Sequence, residues 1–325
     1  MLKVEYRSIL APEMSSFFAL RESRGFNESE NRQLLGRLDK YLISIRLGEK
    51  KLDQETYEGW FNSLRPIIKD TTLNQYICLC IQFSKYLQTL GVEAFVPERV
   101  IARSDYIPYL FSEDQIIALI QAADGWFNTA RYKPVKTSAA QFSIVIRILY
   151  GCGMRVNEVF SLKARDVDFE SAVIYVRNGK GKKDRVIPMA QSLNSIMKTY
   201  ILGHHIQPDE LLFPARSGDK HTKGWISWWF DRVLTTAGIE KPILPKASRN
   251  ICPHCIRHTF AVHSFRKLNL GGHDLYDEVP ILSTYMGHAR IYETEKYLNM
   301  STENSSDIIY KLEQFNKGIF PEVPE

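Results

Sequence analysis

At 325 residues the chain exceeds the size at which one hydrophobic core stops growing, so two domains are expected. Its composition, 44% hydrophobic and 24% charged, excludes a disordered or fibrous chain, and five scattered cysteines do not form the framework of a secreted disulfide scaffold. The formal charge of +5 leaves nucleic acid open as a partner without demanding it, and with no apolar run near the roughly 20 residues of a membrane span and no signal-peptide centre in MLKVEYRSILAPEM, a cytoplasmic protein is expected.

Between Ser29 and Ile45 the apolar residues Leu34, Leu35, Leu38, Tyr41 and Leu42 recur at three and four residues, the spacing of one helix face. Leu73, Ile77, Cys80, Phe83 and Leu87 repeat the pattern in a second helix, with Thr71 or Thr72 as its N-cap and Gly91 as its stop. The first hundred residues are therefore expected to be all-helical, and the basic residues threaded through them from Arg21 to Lys85 read first as solvated faces. Pro97 and Pro108 interrupt the pattern, which restarts at Ser112, an N-cap before EDQIIALIQAA. The boundary is set near residue 105, dividing the chain into a helical domain over 1–105 and a second domain over 106–325. The second is mixed, with helices from Ser112 and from Ala139 to Leu149, a β-hairpin near 172–189, and helices to the end. The fold class is thus mainly α with a small antiparallel sheet in the C-terminal domain.

Two further stretches have readings of their own. In GWISWWFDRVLTTAG, Trp225, Trp228, Trp229 and Val233 are expected on one core-facing stripe rather than as a platform for stacking unpaired bases. Beyond residue 303, Ile308, Leu312 and Phe315 follow the caps Ser305 and Ser306 at helical spacing, a tail helix that must bury its stripe against something.

Four stretches carry chemistry. In LYGCGMRVNEVFSLKARDVDF, Arg155 follows a glycine-punctuated turn and is expected to open a helix carrying Glu158, Leu162 and Asp166; its planar fork suits two oxygens of one phosphate, or a simple pairing with Glu158. In AVIYVRNGKGKKDRVIPM, two strand-like runs flank NGKG, so Lys180 sits at a hairpin tip, solvated or able to reach a phosphate or protonate a leaving oxygen. In CPHCIRHTFAVH, Cys252, Cys255, His258 and His263 suggest zinc, but Cys252 precedes the helix and His263 lies five residues after His258, off the i, i+4 face. His254 and Arg257, at i and i+3, can instead grip one anion together. The fourth stretch, YMGHARIYETEKYLN, sets Tyr285, Tyr292 and Tyr297 around Gly287 and His288. A phenol needs positive charge or a base beside it to become a nucleophile, and the other stretches supply both.

Together G-x-R-x-x-E (153–158), G-K-G-x-K-x-R-x-x-P (179–188), H-x-x-R (254–257) and Gly-His followed nine residues later by tyrosine resemble the tyrosine recombinase (phage integrase and Xer-like) family from about Tyr109 to Asn299. The resemblance implies a helical core-binding domain, an α+β catalytic domain, and the catalytic set Arg155, Lys180, His254, Arg257, His288 and Tyr297. In it Arg155 and Arg257 clamp the scissile phosphate, Lys180 protonates the departing 5′ oxygen, His254 is the acid–base histidine, His288 a hydrogen-bonding one and Tyr297 the nucleophile, with Glu158 supporting Arg155. Periodicity alone favours Tyr292, since one unbroken helix would set it under His288. The resemblance favours Tyr297, because the family's helix breaks after Gly-His and Thr294 matches a threonine found before the nucleophile. Tyr285 reads as packing. KLNLGGHDLYDEVPILSTYMGH is longer than the usual connection, with His273 a surface residue of its loop.

The chemistry so implied is transesterification of DNA through a 3′-phosphotyrosine, without cofactor or metal. The partners implied are double-stranded DNA with paired half-sites, a homotetramer in the synaptic complex with the tail helix docked on a neighbouring protomer, possible accessory DNA-bending proteins, and no membrane. The service implied is integration, excision or resolution of a mobile element or replicon. Two other classes compete: a catalytically silent DNA-binding architectural or regulatory protein on the same fold, and a metal-dependent nuclease using His254, His258 and nearby acids.

Overall fold

The computed structural model describes residues 4–26, 28–100, 107–177, 179, 184–242, 250–288 and 290–303. These divide into two compact units, one over 4–100 and one from 107 onward; the boundary expected near residue 105 falls outside the described residues.

The first unit is four helices, α1 (Ala11–Ser23), α2 (Ser29–Ser44), α3 (Gln54–Leu64) and α4 (Asp70–Thr89). Its core draws on all of them, through Met14 and Phe18, Leu35 and Leu38, Tyr57 and Trp60, and Leu73, Ile77 and Phe83. The buried Tyr57 hydroxyl is satisfied by Ser84 Oγ at 2.7 Å, so its burial leaves no unpaired donor. The expected caps Thr71 and Thr72 are not the caps: Lys69 takes the extended N-cap conformation and α4 begins at Asp70. The acidic Asp70 then sits in the first turn, where the helix dipole favours it, which replaces a side-chain cap.

The second unit begins with α5 (Glu113–Thr129), opened by a reciprocal capping box in which Ser112 Oγ accepts from Gln115 N at 3.1 Å and Gln115 Oε1 from Ser112 N at 3.0 Å. The central helix α6 (Lys133–Gly151) starts six residues before the expected Ala139, because Pro134 is tolerated in a first turn whose N–H groups have no intrahelical partner. A short α7 (Val156–Val159) follows, so Leu162 and Asp166 are not on the helix that Arg155 opens; Asp166 closes a separate 3-10 turn, Ala164–Asp166. Strands β1 (Val167–Asp168), β2 (Val173–Val176) and β3 (Arg185–Pro188) form an antiparallel sheet in that order, with Val167 opposite Ile174 and Ile174 opposite Ile187. The hairpin was expected; β1, only two residues long, gives no alternation to read. Lys180 at its tip lies outside the described residues.

Five helices complete the unit: α8 (Gln191–His204), α9 (Lys223–Thr236), α10 (His254–Leu270), α11 (Leu275–Met286) and α12 (Tyr292–Glu303). On α9, Trp229 is buried and stacks on Phe142 at 5.8 Å, and Trp225 and Trp229 both donate their indole N–H to Ser138 Oγ at 2.8 Å. Trp228 departs from the expected stripe: it is 47% exposed, with the Arg232 guanidinium 3.6 Å from its ring centre. It sits 100° around the helix from Trp229, on the flank of the buried face. Ala261, Val262 and Phe265 of α10, Val279, Leu282 and Met286 of α11, and Tyr297 and Leu298 of α12 form a separate small core. The expected tail helix with Ile308, Leu312 and Phe315 lies outside the described residues.

Candidate active site

Three arginines and one carboxylate, from three separated segments, meet beside the end of α11. Arg155 is the N-cap of α7 and is tied to Glu158 twice, through its backbone N–H at 2.9 Å and its Nη1 at 3.0 Å. Its Nη2 donates to Gly287 O at 2.8 Å. Arg185 at the start of β3 faces the same carboxylate, with Nη1 2.9 Å from Oε1 and Nη2 2.7 Å from Oε2, and its Nε donates to Tyr285 O at 3.0 Å. Arg257 on α10 is buried, donating to Met286 O at 2.8 Å and to Gly153 O.

Electrostatics follow from that count. Burial works to raise the Glu158 pKa, but hydrogen bonds from Arg185 and the Arg155 backbone, with both positive charges, bring it down to about 2. Arg257 has carbonyl partners and no carboxylate of its own, and burial together with the charge of Arg155 lowers it to about 9. Three guanidiniums against one carboxylate leave the pocket with excess positive charge, which an entering anion relieves.

The chain can supply those carbonyls because α11 stops at Met286. Gly287, at φ +64°, caps it, and the His288 N–H turns back to Ser283 O at 3.0 Å. A Cβ on Gly287 would lie 3.0 Å from Arg185 Nη1 as well as forcing a left-handed conformation on an L residue. Gly287→Ala is expected to cost about 1–2 kcal/mol from the backbone conformation alone, and to loosen Arg185 from Glu158; urea unfolding of the two proteins measures the first effect.

The same break sets the two tyrosines on different sides of the next helix. Restarting as α12 at Tyr292, the chain turns Tyr297 inward, 6% exposed, and leaves Tyr292 48% exposed, with Arg290 and Lys296 near its ring at 6.0 and 5.5 Å. Tyr297 Oη shares a 2.7 Å hydrogen bond with His258 Nδ1. Burial raises the phenol's pKa, while Arg257 and Arg155 pull it down. His288 stacks at 6.1 Å from the Tyr297 ring and is oriented by Thr294 Oγ1 on its Nδ1 at 2.7 Å. His254, on the first turn of α10, lies edge to face with His258 at 4.6 Å. Of the six residues singled out in the sequence, five converge here, and Lys180 is outside the described residues.

Two members of the cluster went unread. Arg185 stands inside the G-K-G-x-K-x-R motif, which was the available signal. In the sequence His258 reads only as a metal ligand, because its neighbour across the fold is 39 positions away. The zinc reading loses its geometry: Cys252 Sγ and Cys255 Sγ approach to 3.8 Å, but His258 turns to Tyr297 and His263 to the Tyr150 hydroxyl at 3.0 Å. Among the described residues no three His, Cys, Asp or Glu side chains are grouped to hold a metal ion. Tyr285 packs on Phe260 at 5.7 Å, and His273 is exposed, paired with Glu278 at 3.0 Å. A separate concavity of about 1330 Å³ opens between α6, α8 and α9 and is lined by none of these site residues. None of the described helices is long and apolar enough to cross a membrane.

The phage integrase family matches residues 110–304, more than half of the chain, and the chain belongs to that family. Within it the similarity is to tyrosine recombinases. The chain is 28% identical over 251 residues to a tyrosine recombinase of Thermosipho africanus, covering 75% of this chain and 77% of that protein. It is 27% identical over 205 residues to the tyrosine recombinase XerA of Pyrococcus horikoshii, covering 63% and 61%. Against several other curated relatives the chain spans about half their length, 52% for XerA of Pyrococcus furiosus. The fold is shared with the XerH site-specific recombinase bound to its difH substrate, at a TM-score of 0.62 over 82% of this chain and 74% of that one, with 19% identity.

Proposed function

We propose that this protein is a site-specific DNA recombinase that cuts and rejoins DNA through a 3′-phosphotyrosine, serving integration, excision or resolution of a mobile element or replicon. The observation that carries the reading is a buried phenol, Tyr297, held beside two guanidiniums, Arg155 and Arg257, in a pocket with excess positive charge. Such a pocket stabilises the added negative charge of a pentavalent phosphorane more than that of the ground-state diester.

In the proposed reaction Arg155 and Arg257 hold the non-bridging oxygens of the scissile phosphate. Tyr297 Oη forms a bond to phosphorus as the bond to the 5′ oxygen breaks, and Lys180 donates the proton that oxygen needs. His288 hydrogen-bonds the phosphate and His254 takes part in the acid–base exchange. Attack by a 5′ hydroxyl of another strand reverses the step, so the bond energy is kept and neither nucleotide nor metal is consumed. The helical unit over 4–100 would be the core-binding domain and the rest the catalytic domain, with phosphate contacts supplying affinity on each half-site. Exchange between two duplexes needs four active sites, hence a homotetramer on DNA, in which accessory bending proteins could take part.

The general-acid role of Lys180 has its own test. A substrate with a 5′-bridging phosphorothiolate carries a leaving group that needs no proton, so it should restore cleavage by Lys180→Ala by at least the 10²-fold typical of acid catalysis. Equal impairment on the phosphorothiolate and the ordinary substrate would make Lys180 a binding residue instead.

A further inference from the structure

Attack by a phenol releases a proton at the phenol oxygen, and some group must receive it. His254 is the histidine that the motif order supplies for acid–base work, yet the imidazole in contact with Tyr297 is another one. His258 Nδ1 lies 2.7 Å from Tyr297 Oη, within the range of a good hydrogen bond. The rings are 5.4 Å apart between centres and tilted at 46°, so the contact is made edge-on through the nitrogen rather than by stacking. His288, the other imidazole near the phenol, is stacked at 6.1 Å and has its Nδ1 engaged with Thr294 Oγ1 at 2.7 Å. His254 touches the ring of His258 at 4.6 Å.

We infer that His258 is a further catalytic residue, the acceptor of the phenolic proton as Tyr297 attacks, with His254 beside it as the next group along. The inference rests on Tyr297 being the nucleophile. In the step, the Tyr297 O–P bond forms, the P–O5′ bond breaks, the phenol's proton passes to His258 Nδ1, and the 5′ oxygen takes its proton from Lys180, so charge and protons balance without a co-reactant. Two features of the site call for an acceptor at that position. The phenol is buried, which makes its ionised form harder to reach than in water, and no carboxylate takes up its hydroxyl among the described hydrogen bonds. An imidazole with a pKa near neutrality in its free form is matched to the task. The register of α10 explains the assignment: His254 and His258 are one turn apart on the same face, so the helix presents both, and α12 brings Tyr297 against the second.

The test compares His258→Ala and His258→Asn in the full chain on a nicked suicide substrate, with thermal unfolding and half-site binding measured alongside. Asparagine keeps a hydrogen-bonding atom near the Nδ1 position but cannot take a proton. Both variants should form covalent adduct about 10²-fold or more slowly than the parent, with half-site binding unchanged. Replacing Tyr297 by a fluorotyrosine, whose phenol ionises more readily, should recover part of the loss in His258→Ala, which a merely structural defect would not permit. Adduct formation at the parental rate in either variant overturns the inference, and so does a faster rate in His258→Ala, which would mark the contact as a resting position. Loss without any recovery by fluorotyrosine overturns it as well. A parent protein that forms no adduct through Tyr297 would instead defeat the reading of the nucleophile, a result separable from all of these.

Discussion

On a nicked suicide substrate, Tyr297→Phe should form no covalent protein–DNA adduct, while its binding to a half-site stays within about a factor of two to three of the parent, the equivalent of roughly 0.5 kcal/mol. The substitution removes one oxygen from a ring that is otherwise part of the small core of α10, α11 and α12, so the packing that holds α12 is retained. The lost hydrogen bond to His258 is worth about 1 kcal/mol net, too little to unfold the unit. Tyr292→Phe should keep adduct formation near the parental level, because that ring stands at the surface on the far side of α12. Denaturing gel electrophoresis of labelled DNA reads both outcomes. An adduct in Tyr297→Phe and its absence in Tyr292→Phe would reverse the assignment.

Glu158→Gln should be the most damaging single change to the site's stability. The carboxylate receives Arg155 and Arg185 together, and neutralising it leaves three guanidiniums close to one another with no anion among them. Breaking a buried pair from one side costs about 3–5 kcal/mol. Adduct formation should fall with it, since Arg155 loses the partner that orients its fork. Acid provides an independent measure. The Glu158 pKa is lowered from 4.5 to about 2 in the folded protein, so its contribution is complete above pH 4.5 and is lost as pH falls toward 2. Urea midpoints taken between pH 7 and pH 3 should drop more steeply in the parent than in Glu158→Gln, whose amide does not titrate. Parallel pH curves would show that the carboxylate carries no such load.

Much of the local structure is legible because it depends on neighbours in the chain. The capping box at Ser112 and Gln115, the apolar spacing of α2 and α4, and the glycine-flanked hairpin of β2 and β3 are all set within a few residues, where backbone conformation and side-chain chemistry act directly. The features that depart from expectation have two origins, a local ambiguity and a distant neighbour. The start of α6 was obscured by a proline that the first turn tolerates, and Trp228 was counted with the core although its neighbour Trp229 is the residue that meets Phe142.

The sequence by itself determined which chemical groups this protein carries and in what order, since the motifs around Arg155, Arg257, His288 and Tyr297 are short and their spacing is visible in one dimension. Only the tertiary structure decided their company. Arg185 meets Tyr285 across 100 positions, Arg155 meets Gly287 across 132, and His258 meets Tyr297 across 39. Those meetings follow from the packing of α10, α11 and α12 and from the left-handed turn at Gly287, which rotates Tyr297 inward and Tyr292 outward. The five-position step from Tyr292 to Tyr297 amounts to about 140° around the helix, and which of the two tyrosines faces the arginines is fixed by where α12 begins, a property of the packed core rather than of either residue.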